Sequence, residues 1–192
     1  MVGNTHNGSD WRSSGWRIAV WGAAAFLLLL PFVAMQFTDE VTWGLGDFIT
    51  FGAMLAIACG TYELAARMTR NKSYRAAVGV AVAAAFLLVW VNLAVGIIGS
   101  EGSPANLMYG GVLAIGIVGA IIARFRPKGM ARALAAMALA QALVAAIALL
   151  VGWNDPWNGP LEILALNGFF VALFAGSAWL FGRAANGRQR PA

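Results

Sequence analysis

The sequence predicts an all-α integral membrane protein: six transmembrane helices paired as three antiparallel hairpins, with both termini cytoplasmic. Three observations carry this. Of 192 residues, 60% are hydrophobic and only 11% charged, and the mean hydropathy is +0.73. A water-facing globular surface needs about a quarter charged residues. Six apolar stretches are each long enough to cross a bilayer, which takes roughly 20 helical residues. Finally, every Lys and Arg falls on one side of the topology those stretches define.

The stretches run over about 16–37, 45–66, 76–99, 107–124, 130–152 and 161–182. Within lipid the backbone must satisfy its own hydrogen bonds, so each is expected to be a helix. None alternates apolar and polar residues with the period of two that a barrel strand requires. The first follows Arg12 and Arg17 and resembles a signal peptide at its start. Its apolar run continues through Pro31 to Phe37 with no clean cleavage site, so it reads as a retained helix. Pro31 removes one backbone donor there and predicts a bend. The FLLLLPF segment predicts a lipid-facing helix.

The fourth stretch places Gly116, Gly119, Ala120 and Ala123 on one face, and the fifth is rich in alanine. Small residues let membrane helices approach closely. Helices four and five are therefore expected at the centre, with Gly116, Gly119 and the mid-span Gln141 as packing residues.

With the N-terminus on the basic side, that side holds Arg12, Arg17, Arg67, Arg70, Lys72, Arg75, Arg124, Arg126, Lys128, Arg132, Arg183, Arg188 and Arg190. These are all 13 basic residues. The opposite side carries Asp39, Glu40, Asp47, Glu101, Asp155 and Glu162 and no Lys or Arg. Cytoplasmic loops collect Lys and Arg, which predicts the cell inner membrane with both termini inside. Trp11, Trp16, Trp21, Tyr62, Tyr74 and Trp179 mark the inner interface. Trp43, Tyr109, Trp153 and Trp157 mark the outer one. Residues 1–15 read as a disordered cytoplasmic tail and 183–192 as a loose basic tail. The outer links TDEVTWG, SEGSPAN and WNDPWNGP each combine an acid with turn residues. Both a threefold hairpin repeat and independent use of turn residues account for that pattern.

The segments LPFVAMQFTDEVTW, YRAAVGVAVAAAFLLVWVNLAVGIIGSEGSPANLMYGG and IIARFRPKGMARAL resemble a family of uncharacterised bacterial six-helix inner-membrane proteins. The resemblance runs from Pro31 to about Ala145. Members sometimes carry the automatically transferred label β-carotene 15,15′-monooxygenase. Cleaving a polyene with O₂ requires an iron held by His or carboxylate ligands with open positions. The chain's one imidazole is His6, in the polar N-terminal tail. The resemblance thus implies the architecture and supplies no chemistry.

Among candidate residues, Glu63 precedes Arg67 by four, the favourable order for a helical ion pair, and lies within about one turn of the inner interface. Asn92 and Asn167 both fall roughly 10 Å below the outer boundary at 1.5 Å rise per residue. Gln36 and Asp47 lie somewhat shallower. Together Asn92, Asn167, Gln36 and Asp47 outline a candidate outer vestibule with an acidic rim. Two interhelical hydrogen bonds closing a solid bundle explain the asparagines as well. Asp47 and Glu162 also stand at helix starts, where a carboxylate complements the dipole. Glu101 reads as a turn acid, although with Asn106 it offers oxygens to a cation.

No catalytic residues, metal ligands or cofactor emerge, and enzymatic activity is disfavoured. The chain has one Cys and one His, so a multi-His or multi-Cys metal site within it is excluded. No Lys lies mid-span for a retinal Schiff base. Basic residues confined to membrane-flanking links do not indicate nucleic-acid binding. Expected partners are the lipid bilayer and either another membrane protein or a second copy. Three functional readings remain: an accessory protein that binds a membrane protein or lipid, a small-solute or cation transporter using the acidic vestibule, and, least favoured, an intramembrane enzyme acting on lipid or isoprenoid.

Overall fold

The computed structural model describes residues 10–100, 102–151 and 159–187. The expectations for residues 1–9, Glu101, residues 152–158 and the tail beyond 187 lie outside the described residues. The described residues form six α-helices and one short 3-10 turn. The helices are α1 (Asp10–Ala34), α2 (Leu45–Met68), α3 (Lys72–Ala94), α4 (Leu107–Ile122), α5 (Pro127–Val151) and α6 (Pro160–Asn186), with the turn at Pro104–Asn106. All six helical segments are long and apolar enough to cross a membrane, the fourth counted from Pro104. The chain divides into two compact units, Met1–Leu64 and Ala65–Ala192.

In the first unit, α1 begins at Asp10, ahead of its apolar run, and continues through Pro31 to Ala34. The amide of Met35 donates to Pro31 O at 2.9 Å, and Thr38 to Ala34 O at 3.1 Å, closing the helix in a turn. The start of α2 is capped by Asp47, whose Oδ2 accepts the Gly44 amide at 2.8 Å. This satisfies a donor that precedes the first helical turn. Trp43 packs edge-on against Phe48 and Phe51, with centroids 5.2 and 5.4 Å away.

The second unit contains α3 to α6. Helix α5 packs on α4 along one side and on α6 along the other, α6 packs in turn on α3, and α3 touches α4 only lightly. The alanine-rich sequence of α5 suits it to two neighbours at once. A Cβ built on Gly119 would stand 2.6 Å from Ala133 Cβ, and one on Gly129 would stand 3.0 Å from Ala123 Cα. A Cβ on Gly116 would overlap Met137. As numbers rise along α4 they fall along α5, so these helices run antiparallel. On the other flank Ser177 Oγ donates to Ala77 O at 2.8 Å, and the Tyr74 and Phe181 rings meet edge-on at 5.1 Å. That register makes α3 and α6 antiparallel too.

Helix α1 starts at Asp10 rather than near residue 16, within the stretch read as a disordered tail, and two C-terminal helix ends also differ from the sequence expectation. Helix α3 stops at Ala94 rather than near residue 99, because Gly96 and Gly99 adopt left-handed φ of 75° and 68°. Helix α6 continues to Asn186, past the expected end near 182. Ala184 and Ala185 are buried, so packing extends it. Between α4 and α5, Arg124 and Phe125 take positive φ of 49° and 56° without being glycine. The turn is held by the Phe125 amide on Ala120 O at 3.2 Å and by Tyr74 Oη donating to Phe125 O at 2.8 Å.

Candidate functional site

The most developed polar arrangement in the second unit centres on Asn167. It lies seven residues into α6, about 10 Å along the helix from its start. Asn167 is 1% exposed and Gln141 and Tyr109 are 0% exposed. Asn167 Oδ1 accepts from Tyr109 Oη at 3.1 Å and from Gln141 Nε2 at 2.9 Å, joining α4, α5 and α6 at one atom. Its Nδ2 donates to Ile163 O at 2.8 Å, one turn back on α6. The polar atoms of the Asn167 side chain are therefore all engaged. Gln141 Oε1 is buried without a hydrogen-bond partner.

Tyr109, expected at the outer interface, instead lies inside the bundle. The sequence signal was ambiguous, because a Tyr near a helix start suits either a wet boundary or a buried partner.

Asn92, near the C-terminal end of α3, belongs to a different set. Its Nδ2 donates to Asn106 O at 3.1 Å, and its Oδ1 is buried without a partner. Asn106 is the organiser here. Its Oδ1 accepts the amides of Ile97 at 3.1 Å and Ile98 at 3.0 Å, and its Nδ2 donates to Ser100 O at 2.8 Å. One carboxamide thus closes the whole post-α3 turn and lets Ile97 and Ile98 sit fully buried. Asn92 and Asn167 stand on neighbouring helices, but each has its own hydrogen-bond partners. Sequence reasoning did not single out Asn106 as a turn lock. The spacing of Gly99, Ser100, Ser103 and Pro104 marks a turn without naming the residue that closes it.

A cavity of about 340 Å³ lies between α5 and α6. Ala142, Ala146 and Leu149 form one wall, and Leu164, Gly168 and Val171 the other, with Asn167 as the polar lining residue. Ala142, Ala146, Leu164 and Gly168 are exposed, so the cavity opens sideways from the helix pair. A Cβ on Gly168 would meet nothing within 4 Å.

The remaining candidates lie in the first unit, apart from Arg67. Glu63 Oε1 is 2.7 Å from Arg17 Nε, and Glu63 Oε2 accepts Trp21 Nε1 at 3.1 Å. These two partners are on α1. The four-residue spacing to Arg67 did not point to them, because they are remote in sequence. The Arg17 side chain is 54% exposed and the Glu63 side chain 16%. Gln36 is exposed and donates back to Phe32 O at 3.4 Å, and Asp47 serves the α2 cap. Both are local contacts at the ends of α1 and α2.

Among the described residues, no three His, Cys, Asp or Glu side chains are grouped so as to hold a metal ion. Among the described residues of the second unit, the buried polar side chains are amides, a hydroxyl and two phenols. They can orient a partner by hydrogen bonding, but they include no acid–base pair. No family model matches the chain, and neither a curated protein nor a solved structure matches it significantly.

Proposed function

We propose that this chain is a polytopic accessory protein of a bacterial inner membrane, with both termini cytoplasmic, that binds a lipid or another membrane protein. Its helices would cross in alternating directions as three hairpins, as the segregation of Lys and Arg implies. The observation that carries the binding role is the sideways-open α5–α6 cavity, walled by small and aliphatic residues. Membrane helices and lipid chains associate through close packing of such surfaces, since lipid offers no hydrophobic drive. Mild-detergent purification of the full chain, followed by mass spectrometry of co-purifying proteins and lipids, tests it. A stoichiometric companion supports the reading, and its absence overturns it.

The alternative, cation or solute transport through an acidic outer vestibule, draws on the six acids opposite the basic face. The engaged amide of Asn167 and the separate set around Asn92 favour a closed polar interior over a conducting one. Flux of cations into proteoliposomes containing the pure protein would reverse that preference.

A further inference from the structure

We propose that the turn between α4 and α5 holds an anionic phospholipid. Arg124, Arg126 and Lys128 take its phosphate, and Ile121, Ile122 and Phe125 meet its hydrocarbon. This goes beyond the accessory reading, which rests on the α5–α6 cavity, and uses none of that cavity's residues.

The described residues of the second unit carry nine Lys and Arg: four in 67–75, four in 124–132, and Arg183. Tyr74 draws the three segments to one end of the unit. Its Oη donates to Phe125 O at 2.8 Å, and its ring meets that of Phe181 at 5.1 Å. The start of α3, the α4–α5 turn and the end of α6 are thereby neighbours. The one acid among the described residues of this unit is Glu162, at the start of α6 and about 30 Å along that helix from Arg183. Helices α3 and α5 both begin at the basic end with no acid in the first turn, so their dipoles add positive potential there. Among the described residues, Arg124, Arg126 and Lys128 are exposed and form no ion pair. The charge of this end is uncompensated within the unit, which selects an anionic partner.

The backbone of the turn holds these side chains at a cost. Arg124 and Phe125 both stand at left-handed φ, where glycine would be unstrained. Strain of this kind persists where the surrounding structure fixes it and the side chain has a use. Here the amides of Arg124, Phe125 and Arg126 donate to Ile121 O, Ala120 O and Ala123 O, and Tyr74 tethers the turn to α3. The site is therefore pre-organised, and its side chains rather than these engaged amides are left to meet an anion.

An apolar flank selects a lipid among anions. Ile121, Ile122 and Phe125 are 62%, 77% and 55% exposed, and they adjoin the cations along the chain. They end a helical segment apolar enough to cross a membrane. Free phosphate or a soluble acidic segment would satisfy the cations alone. A phospholipid satisfies both parts: its hydrocarbon covers the isoleucines and the ring, and its phosphate accepts the forked guanidinium donors.

The test is native mass spectrometry of the full-length protein, delipidated and then offered phosphatidylglycerol or phosphatidylcholine with identical chains. Both carry the phosphate and they differ in net charge. The expected result is retention of phosphatidylglycerol at least threefold above phosphatidylcholine. Arg124→Gln combined with Arg126→Gln should lower that retention at least about fivefold. Arg70→Gln combined with Arg183→Gln removes the same charge from the same end but not from the turn, and should leave at least half. Arg126→Gln with Lys128→Gln repeats the test if the first pair fails to elute as a monodisperse species. Equal retention of the two lipids overturns the proposal, as does equal loss in the turn pair and the control pair. Displacement of phosphatidylglycerol by inorganic phosphate overturns it too, as does an acidic protein that co-purifies in the lipid's place and is lost with the turn pair. A lipid or protein companion held undiminished by the turn pair overturns this site and leaves the accessory reading standing.

Discussion

Replacing Asn167 and Gln141 separately by Leu should have unequal consequences, although the two side chains share a hydrogen bond. Asn167→Leu removes the acceptor for two buried donors, Tyr109 Oη and Gln141 Nε2. Ile163 O loses only an additional side-chain donor, because it remains the carbonyl of a helical turn. Interhelical hydrogen bonds in membrane proteins contribute about 0.6 kcal/mol on average and up to about 1.7. Two such bonds amount to about 1–3 kcal/mol, and the stranded donors hold the cost toward the upper part of that span.

Gln141→Leu removes one of the same bonds but also deletes an oxygen that has no partner. Asn167 Oδ1 keeps its bond from Tyr109. The net change should stay within about 1 kcal/mol of wild type. Adding Tyr109→Phe to Asn167→Leu removes one stranded hydroxyl and should recover about 1 kcal/mol. Thermal unfolding in a mild detergent, followed by tryptophan fluorescence, reads all four proteins. Equal stability of Asn167→Leu and Gln141→Leu, or no recovery on adding Tyr109→Phe, would show that Asn167 is not the shared acceptor that holds the three helices.

Three further outcomes follow from the geometry. Gly119→Leu should destabilise the protein by roughly 1–3 kcal/mol through overpacking against Ala133, whereas Gly168→Leu should be tolerated; equal melting temperatures for the two would refute this. Phe125→Gly should stabilise by roughly 1 kcal/mol, since Phe125 is 55% exposed and held at φ 56°, a conformation that costs a non-glycine residue about 1–2 kcal/mol; a lower melting temperature would show that its ring matters more than its backbone. In a Cys59→Ala background, Ser103→Cys should react with an impermeant thiol reagent added outside intact cells and Ser73→Cys should not; the opposite labelling would reverse the proposed orientation.

The six helices were legible in the sequence because lipid imposes a strong and local rule. A segment that must bury its own backbone polar groups over the membrane thickness needs about 20 apolar residues, and that run is visible without any tertiary knowledge. Helix ends were less legible where the cause was remote or small. The stop at Ala94 depends on Asn106 capturing two amides from across a turn, and the extension to Asn186 depends on what Ala184 and Ala185 pack against. Matching depth placed Asn92 and Asn167 at similar levels, but depth is one coordinate. Which helices are neighbours, and which rotation each adopts, sends Asn92 to Asn106 and Asn167 to Tyr109 and Gln141.

The same division holds for Glu63. Its spacing to Arg67 is a property of one helix, while its ion pair with Arg17 and its bond from Trp21 belong to the packing of α2 beside α1. The sequence by itself determined how many helices form, their approximate lengths and the separation of basic from acidic links, because hydropathy and charge act residue by residue against the solvent. Only the tertiary structure decided that α6, and not α4, is the main neighbour of α3, that one asparagine joins three helices, and that an apolar recess opens beside Gly168. Those features arise from side chains remote in sequence meeting in space, and no periodicity along the chain encodes which of several apolar faces will meet.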